Sequence, residues 1–163
     1  MTKNARALIP TAILWSAALP MHRLAAQATG SGGDNPDARQ SVTEADVRIV
    51  QRAREILSSP SKWNRADTRV CPAEAKTFTL YCALERATDE ITGKFVHRSA
   101  ATQEAGFVID EIAANRRNYN HRLKDYNNDP TTMFADIQAF FWLLEDRVTK
   151  RLSEQPQDPK VNK

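Results

Sequence analysis

Six side chains in the body of this 163-residue chain could carry chemistry: Cys71 and Cys82, Asp67 and Asp129, His97 and His121. A metal centre would need the cysteines and histidines at a spacing that joins them, and the positions of His97 and His121 supply none. A redox pair is more usually separated by two residues than by ten. In an exported protein an even pair of cysteines reads as a structural disulfide, ahead of free thiols and of a metal or redox pair. The histidines stand among Arg, Lys and Asn and read as surface residues.

General acid–base work needs carboxylates whose environments push their pKa values apart. Glu85, Asp89 and Glu90 share one helix with Arg86 and show no such contrast. Asp67 and Asp129 are the two acids that a hydrolase could use, and it would need them about 5–10 Å apart. Arg116-Arg117 with Arg122 and Lys124 could meet an anion, but Asp110, Glu111 and Asp125 balance them, so they read as a solvated face. There is no phosphate-binding glycine loop, no Gly-x-Ser-x-Gly and no His-Glu-x-x-His. No catalytic set, metal site or cofactor follows from these residues. Two segments are more particular: Ser61-Lys62-Trp63-Asn64-Arg65-Ala66-Asp67, and Tyr126-Asn127-Asn128-Asp129-Pro130-Thr131-Thr132. Trp63, Asn128 and Asp129 are their candidate binding residues.

The elements that must position these residues are helical, since apolar residues recur at spacings of 3–4 with few glycines or prolines between. The predicted helices are Thr43–Ser58, capped by Ser41 or Thr43 with Glu44 or Asp46 as capping-box partner; Lys76–Thr92, stopped by Gly93; Ser99–Ala114; a short one over Tyr119–Tyr126; and a last helix opened by Asp129 as N-cap with Pro130 behind it. In the last helix Phe134, Ile137, Phe141, Leu144 and Val148 form one stripe, the spine of the core. The fold class is all-α, a compact bundle of four to five helices over residues 41–152. A second face of the last helix carries Ala135, Ala139 and Trp142. Trp142 lies about 80° round from Phe134 at 100° per residue. This face either packs under another part of the chain or meets a protein partner or a second copy; the exposure of Trp142 decides.

The ends read differently. Lys3 and Arg6 precede thirteen mostly apolar residues, Ala7 to Leu19, and Ala26-Gln27-Ala28 comes after them as a small-x-small pattern. This is a signal peptide over residues 1–28, with cleavage predicted after Ala28. The alternative is a retained anchor, although thirteen residues make only about 20 Å of helix against a hydrocarbon core of ~30 Å. Residues 29–40 read as a flexible linker and 153–163 as a disordered tail. The chain holds 23 basic and 20 acidic residues, and Lys3, Arg6 and Arg23 all precede residue 29, where there is no acid. The chain from Thr29 onward is formally neutral, which excludes the footprint of a nucleic-acid binder.

Three short motifs carry a resemblance. Ile56-Leu57 ahead of Trp63, then Cys82-Ala83-Leu84, then Asn128-Asp129-Pro130 with Thr131 and Thr132 occur in that order. Over residues 48–150 the chain resembles a group of small helical bacterial and phage proteins described only as a domain of unknown function. It departs from their pattern where Glu85-Arg86 replaces Gly-Ala and where Asn127 replaces a Trp. The resemblance implies a helical fold and no activity. The function expected from the export pattern and the missing catalytic set is a non-enzymatic binding or interaction protein of the bacterial cell envelope, periplasmic or secreted, with no stable membrane span after processing. The alternative is a hydrolase acting on an envelope polymer, with Asp67 or Asp129 as its acid.

Overall fold

The computed structural model describes residues 39–116 and 119–155. The predicted signal peptide, most of the linker and the tail beyond residue 155 lie outside them. The described residues form α1 (Glu44–Ile56), a 3-10 turn at Pro60–Lys62, α2 (Leu80–Thr92), α3 (Ala100–Ile112), α4 (Arg122–Asn128) and α5 (Phe134–Glu154). The all-α class holds. The one extended pairing among the described residues is a parallel bridge between Trp63 and Phe78. No described helix is long and apolar enough to cross a membrane.

The helix starts follow from local chemistry. Thr43 caps α1, and the Asp46 carboxylate returns the bond by accepting from the Thr43 N–H at 2.9 Å. The other Asp46 oxygen accepts from the N–H of Ala101 at 2.9 Å, so one buried carboxylate satisfies orphan donors at the starts of both α1 and α3. Ser99 caps α3 by accepting from the Thr102 N–H at 3.1 Å. Gly93 ends α2 at φ 75°, a left-handed stop that costs glycine nothing. Helix α2 begins at Leu80 rather than Lys76, because Phe78 is held extended by its bridge to Trp63 and Thr79 takes the capping position.

Helix α1 packs chiefly on α2 and then on α5, while α3 lies against α5 and α4. Small residues at Ala53, Ala83, Ala87, Ala101 and Ala105 are fully buried and let the helix backbones approach. The space is filled from α5. Phe140 and Phe141 are both fully buried, edge to face with ring centroids 5.1 Å apart. Phe140 lies off the predicted stripe; it is buried because α5 is covered from two sides. Phe134, which the stripe included, is only half-buried.

Other boundaries differ from the sequence reading as well, and the short helix predicted over Tyr119–Tyr126 runs Arg122–Asn128. The last helix does not open at Asp129. Helix α4 continues through Asn128, and Asp129-Pro130-Thr131-Thr132 forms a turn closed by Thr132 N–H donating to the Asp129 carbonyl at 3.0 Å. Asp at the first position and Pro at the second suit such a turn as well as they suit a helix start. Helix α5 then begins four residues on, where the Asp136 carboxylate accepts from the Met133 N–H at 2.8 Å. The body also extends past both expected limits. Gln40 donates its N–H to Gln103 and accepts from Arg151 through its carbonyl, each at 2.9 Å. Ser153 and Glu154 stay helical because the first breaker is Pro156. The Gln155 amide then donates to the Val42 carbonyl at 3.1 Å.

Candidate functional site

The two segments singled out in the sequence meet. Asn64 N–H donates to the Phe78 carbonyl at 2.9 Å and Phe78 N–H donates to the Lys62 carbonyl at 2.7 Å, which sets Trp63 beside the start of α2. From the end of α4, Asn128 clamps the Asp67 peptide from both sides. Its Oδ1 accepts from the Asp67 N–H at 2.7 Å and its Nδ2 donates to the Asp67 carbonyl at 2.9 Å. Arg65 lies over the Trp63 ring, 5.1 Å from its centroid, and donates to the carbonyls of Asp129 and Pro130 at 3.1 Å.

The hub is a residue that sequence reasoning missed. Asn127 is fully buried, and its Oδ1 accepts from Trp63 Nε1 at 2.9 Å and from the Leu80 N–H at 3.1 Å. Its Nδ2 donates to the Asn64 carbonyl at 3.0 Å. One amide thus joins the loop after α1, the start of α2 and the end of α4. Asn127 follows a Tyr in an otherwise polar stretch, and nothing local marks it as buried.

Asp129 is occupied in the same way. Its Oδ1 accepts from the Thr131 hydroxyl at 2.6 Å and the Thr131 N–H at 2.8 Å, and its Oδ2 accepts from the Tyr119 hydroxyl at 2.8 Å. These bonds, led by that of the Thr131 hydroxyl and helped by Arg116, hold its carboxyl down from the ordinary 3.8 to about 2. A general acid requires the opposite shift, so Asp129 does not fit the role that the hydrolase reading gave it. Asp67 is buried, and its Oδ1 accepts from the Arg69 N–H at 2.6 Å. Trp63, Asn128 and Asp129 are therefore brought together, with their side-chain polar atoms taken up by Asn127, Asp67, Thr131 and Tyr119.

A consequence is measurable. A lowered carboxyl contributes stability above its unfolded-state value and loses that contribution as pH falls toward its folded value. Asp129→Asn is expected to be less stable than the wild type at pH 7. The gap should narrow as pH falls from about 4 to about 2. Urea unfolding at both ends of that range measures it; a gap that stays constant would remove the charge from the explanation.

The cysteines are bonded, Cys71 to Cys82, with Cα atoms 5.3 Å apart. Cys82 stands on the face of α2 away from its Leu80–Leu84–Ala87 stripe and is covered by the loop that carries Cys71, as the helical spacing predicts. Phe78, inside the predicted span of that helix, instead precedes it. Of the basic cluster, Arg122 pairs with Asp110 at 2.8 Å and Arg116 turns to the Thr132 hydroxyl at 2.8 Å, while Arg117 lies outside the described residues. Among the described residues no group of His, Cys, Asp and Glu could hold a metal ion.

On α5, Trp142 is 61% exposed, and Ala135 and Ala139 beside it are exposed as well. The ring is still ordered on one side. The Arg54 guanidinium lies 4.1 Å from its centroid and is itself fixed by an ion pair to Glu145 at 2.6 Å. The face therefore offers a large aromatic anchor beside a flat shelf of small side chains. No family model, curated protein or solved structure matches this chain.

Proposed function

We propose that the protein is an exported, non-enzymatic interaction protein of the bacterial cell envelope that associates with a second copy of itself through α5. The observation that carries this is the exposed Trp142 beside Ala135 and Ala139. A projecting ring and a shallow shelf on one face are self-complementary. Two antiparallel copies of α5 seat each Trp142 on the other's alanines, the reciprocal pattern of a two-fold interface. Arg54 holds the ring before association, which reduces the ordering cost of binding. Export is supported by the basic, apolar and Ala26-Gln27-Ala28 pattern of the first 28 residues, and by a disulfide that suits an oxidising compartment.

Sedimentation equilibrium of the wild type and Trp142→Ala tests this reading. The wild type is expected to dimerise with rising concentration. The variant should stay monomeric, with its stability changed by less than about 1 kcal/mol, as befits a surface residue. A wild type that stays monomeric throughout, or a variant that dimerises equally well, would overturn it.

A further inference from the structure

Beyond the α5 face, and independent of it, a second surface departs from the rest of the molecule. A groove of about 370 Å³ is lined by Arg69, Tyr81, His97, Arg98, His121 and Lys124, with Thr102 and Leu123 completing its wall. These residues come from the loop before the disulfide, from α2, from the approach to α3 and from α4 with the residue before it. No carboxylate lines it. Many arginines of the helices are neutralised: Arg52, Arg54, Arg122, Arg147 and Arg151 each sit in an ion pair. Among the described residues none holds Arg69, Arg98 or Lys124 that way.

Three carboxylates stand near the groove, each engaged outside an ion pair with its cations. Asp125 accepts from the His121 N–H at 2.7 Å, and Asp67 Oδ1 accepts from the Arg69 N–H at 2.6 Å, its Oδ2 being buried without a partner. Glu85 acts on Tyr81 from the next turn of α2. The lining side chains contact one another. The Tyr81 hydroxyl lies 3.3 Å from His97 Nδ1, and the Arg69 guanidinium lies 5.4 Å from the Tyr81 ring centroid.

Arg69 is held there at a conformational cost. Its φ is 62°, the left-handed region, and it is the one non-glycine residue with positive φ among the described residues. Two residues on, Cys71 is bonded to Cys82, the neighbour of Tyr81. The disulfide thus ties the Arg69 turn to the helix position that carries its stacking partner. Strained backbone, cations outside any ion pair and a covalent tie converge on one concavity.

We propose that this groove binds a phosphate oxyanion. Two guanidinium groups, an ammonium, two imidazoles and a phenol offer donors from several directions, which suits a tetrahedral group with several charged oxygens better than a planar carboxylate. The confined volume suits one phosphate-bearing group rather than an extended polyanion. The group could be free in solution or the headgroup of a lipid, and the two sources separate experimentally.

Titration of the oxidised full chain with inorganic phosphate, followed by ¹⁵N–¹H chemical shifts, is expected to move the amides around Arg69, Arg98 and Lys124 saturably, with acetate at equal ionic strength moving them far less. Arg98→Ala with Lys124→Ala should weaken binding about tenfold or more, the effect of losing one charge-assisted hydrogen bond. Arg69→Gly separates function from folding: it should bind phosphate more weakly while melting no lower than the wild type, since glycine relieves the left-handed turn. Flotation with phosphatidylglycerol vesicles identifies the source. Capture that the double variant abolishes assigns a lipid headgroup, and saturation by phosphate without capture assigns a soluble phosphate. Absence of both saturation and capture, or double and Arg69→Gly variants that bind as the wild type does, would overturn the proposal.

Discussion

Asn127→Ala is expected to lower the unfolding free energy by about 3 kcal/mol, since each buried polar group left without a partner costs roughly 1–3 kcal/mol. Three groups lose their partner at once: Trp63 Nε1, the Leu80 N–H and the Asn64 carbonyl. Leu80 is fully buried, so water cannot replace the bond to its N–H, whereas Trp63 and Asn64 are half-buried and recover part of theirs. Asn127→Asp keeps both acceptor roles but cannot donate to the Asn64 carbonyl, and it places a charge in a buried site. Asn128→Ala is the contrasting variant. It removes the two-bond clamp on Asp67 at an exposed position and should cost only about 1–2 kcal/mol, the low end of the net value of two ordinary hydrogen bonds. Urea unfolding at constant m-value measures all three. Equal losses for the two alanine variants would show that the loop after α1 is not organised from Asn127.

Removing the disulfide, as Cys71→Ser with Cys82→Ser, has the other large expected effect. The cysteines are 11 residues apart in sequence. Closing a loop of that size restricts the unfolded chain by about 3 kcal/mol in the chain-entropy model. For a domain of this size that is a fall of roughly 10 °C in melting temperature. The segment it holds has little else to hold it: Ala75 N–H donates to the Pro72 carbonyl at 3.1 Å, and Arg86 donates to the Ala73 carbonyl. The Trp63–Asn127 contact does not pass through the sulfurs and should survive the substitution. Thermal unfolding of the serine variant, and of the wild type with and without reductant, gives the comparison. Reduction that leaves the wild-type melting temperature unchanged would contradict the assignment.

Legibility in the sequence divides by the range of the interaction. The starts of α1 and α3 and the stop of α2 are legible because Thr43, Ser99 and Gly93 act within three or four residues of themselves. The even pair of cysteines points to the disulfide, while helical geometry puts Trp142 off the main stripe and leaves its exposure open. Asp129 misleads because Asp-Pro encodes a turn and a helix start equally well, and only the extra length of α4 decides between them. Asn127 is invisible because its partners lie 47 to 64 residues away. The groove around Arg69 escapes for the same reason. Of its cations only Lys124 belongs to the basic cluster visible along the chain, and that cluster's Arg122 pairs with Asp110 elsewhere.

Asp46 gives the bundle a property that a count of its helices would miss. Its two oxygens hold the first turns of α1 and α3, which begin 56 residues apart in sequence, at Glu44 and Ala100. Helix ends ordinarily fray one at a time, each at little cost. Here the start of α1 cannot loosen without withdrawing a bond from the start of α3. The two openings are thermodynamically coupled, and two helices far apart in the chain share one fastening.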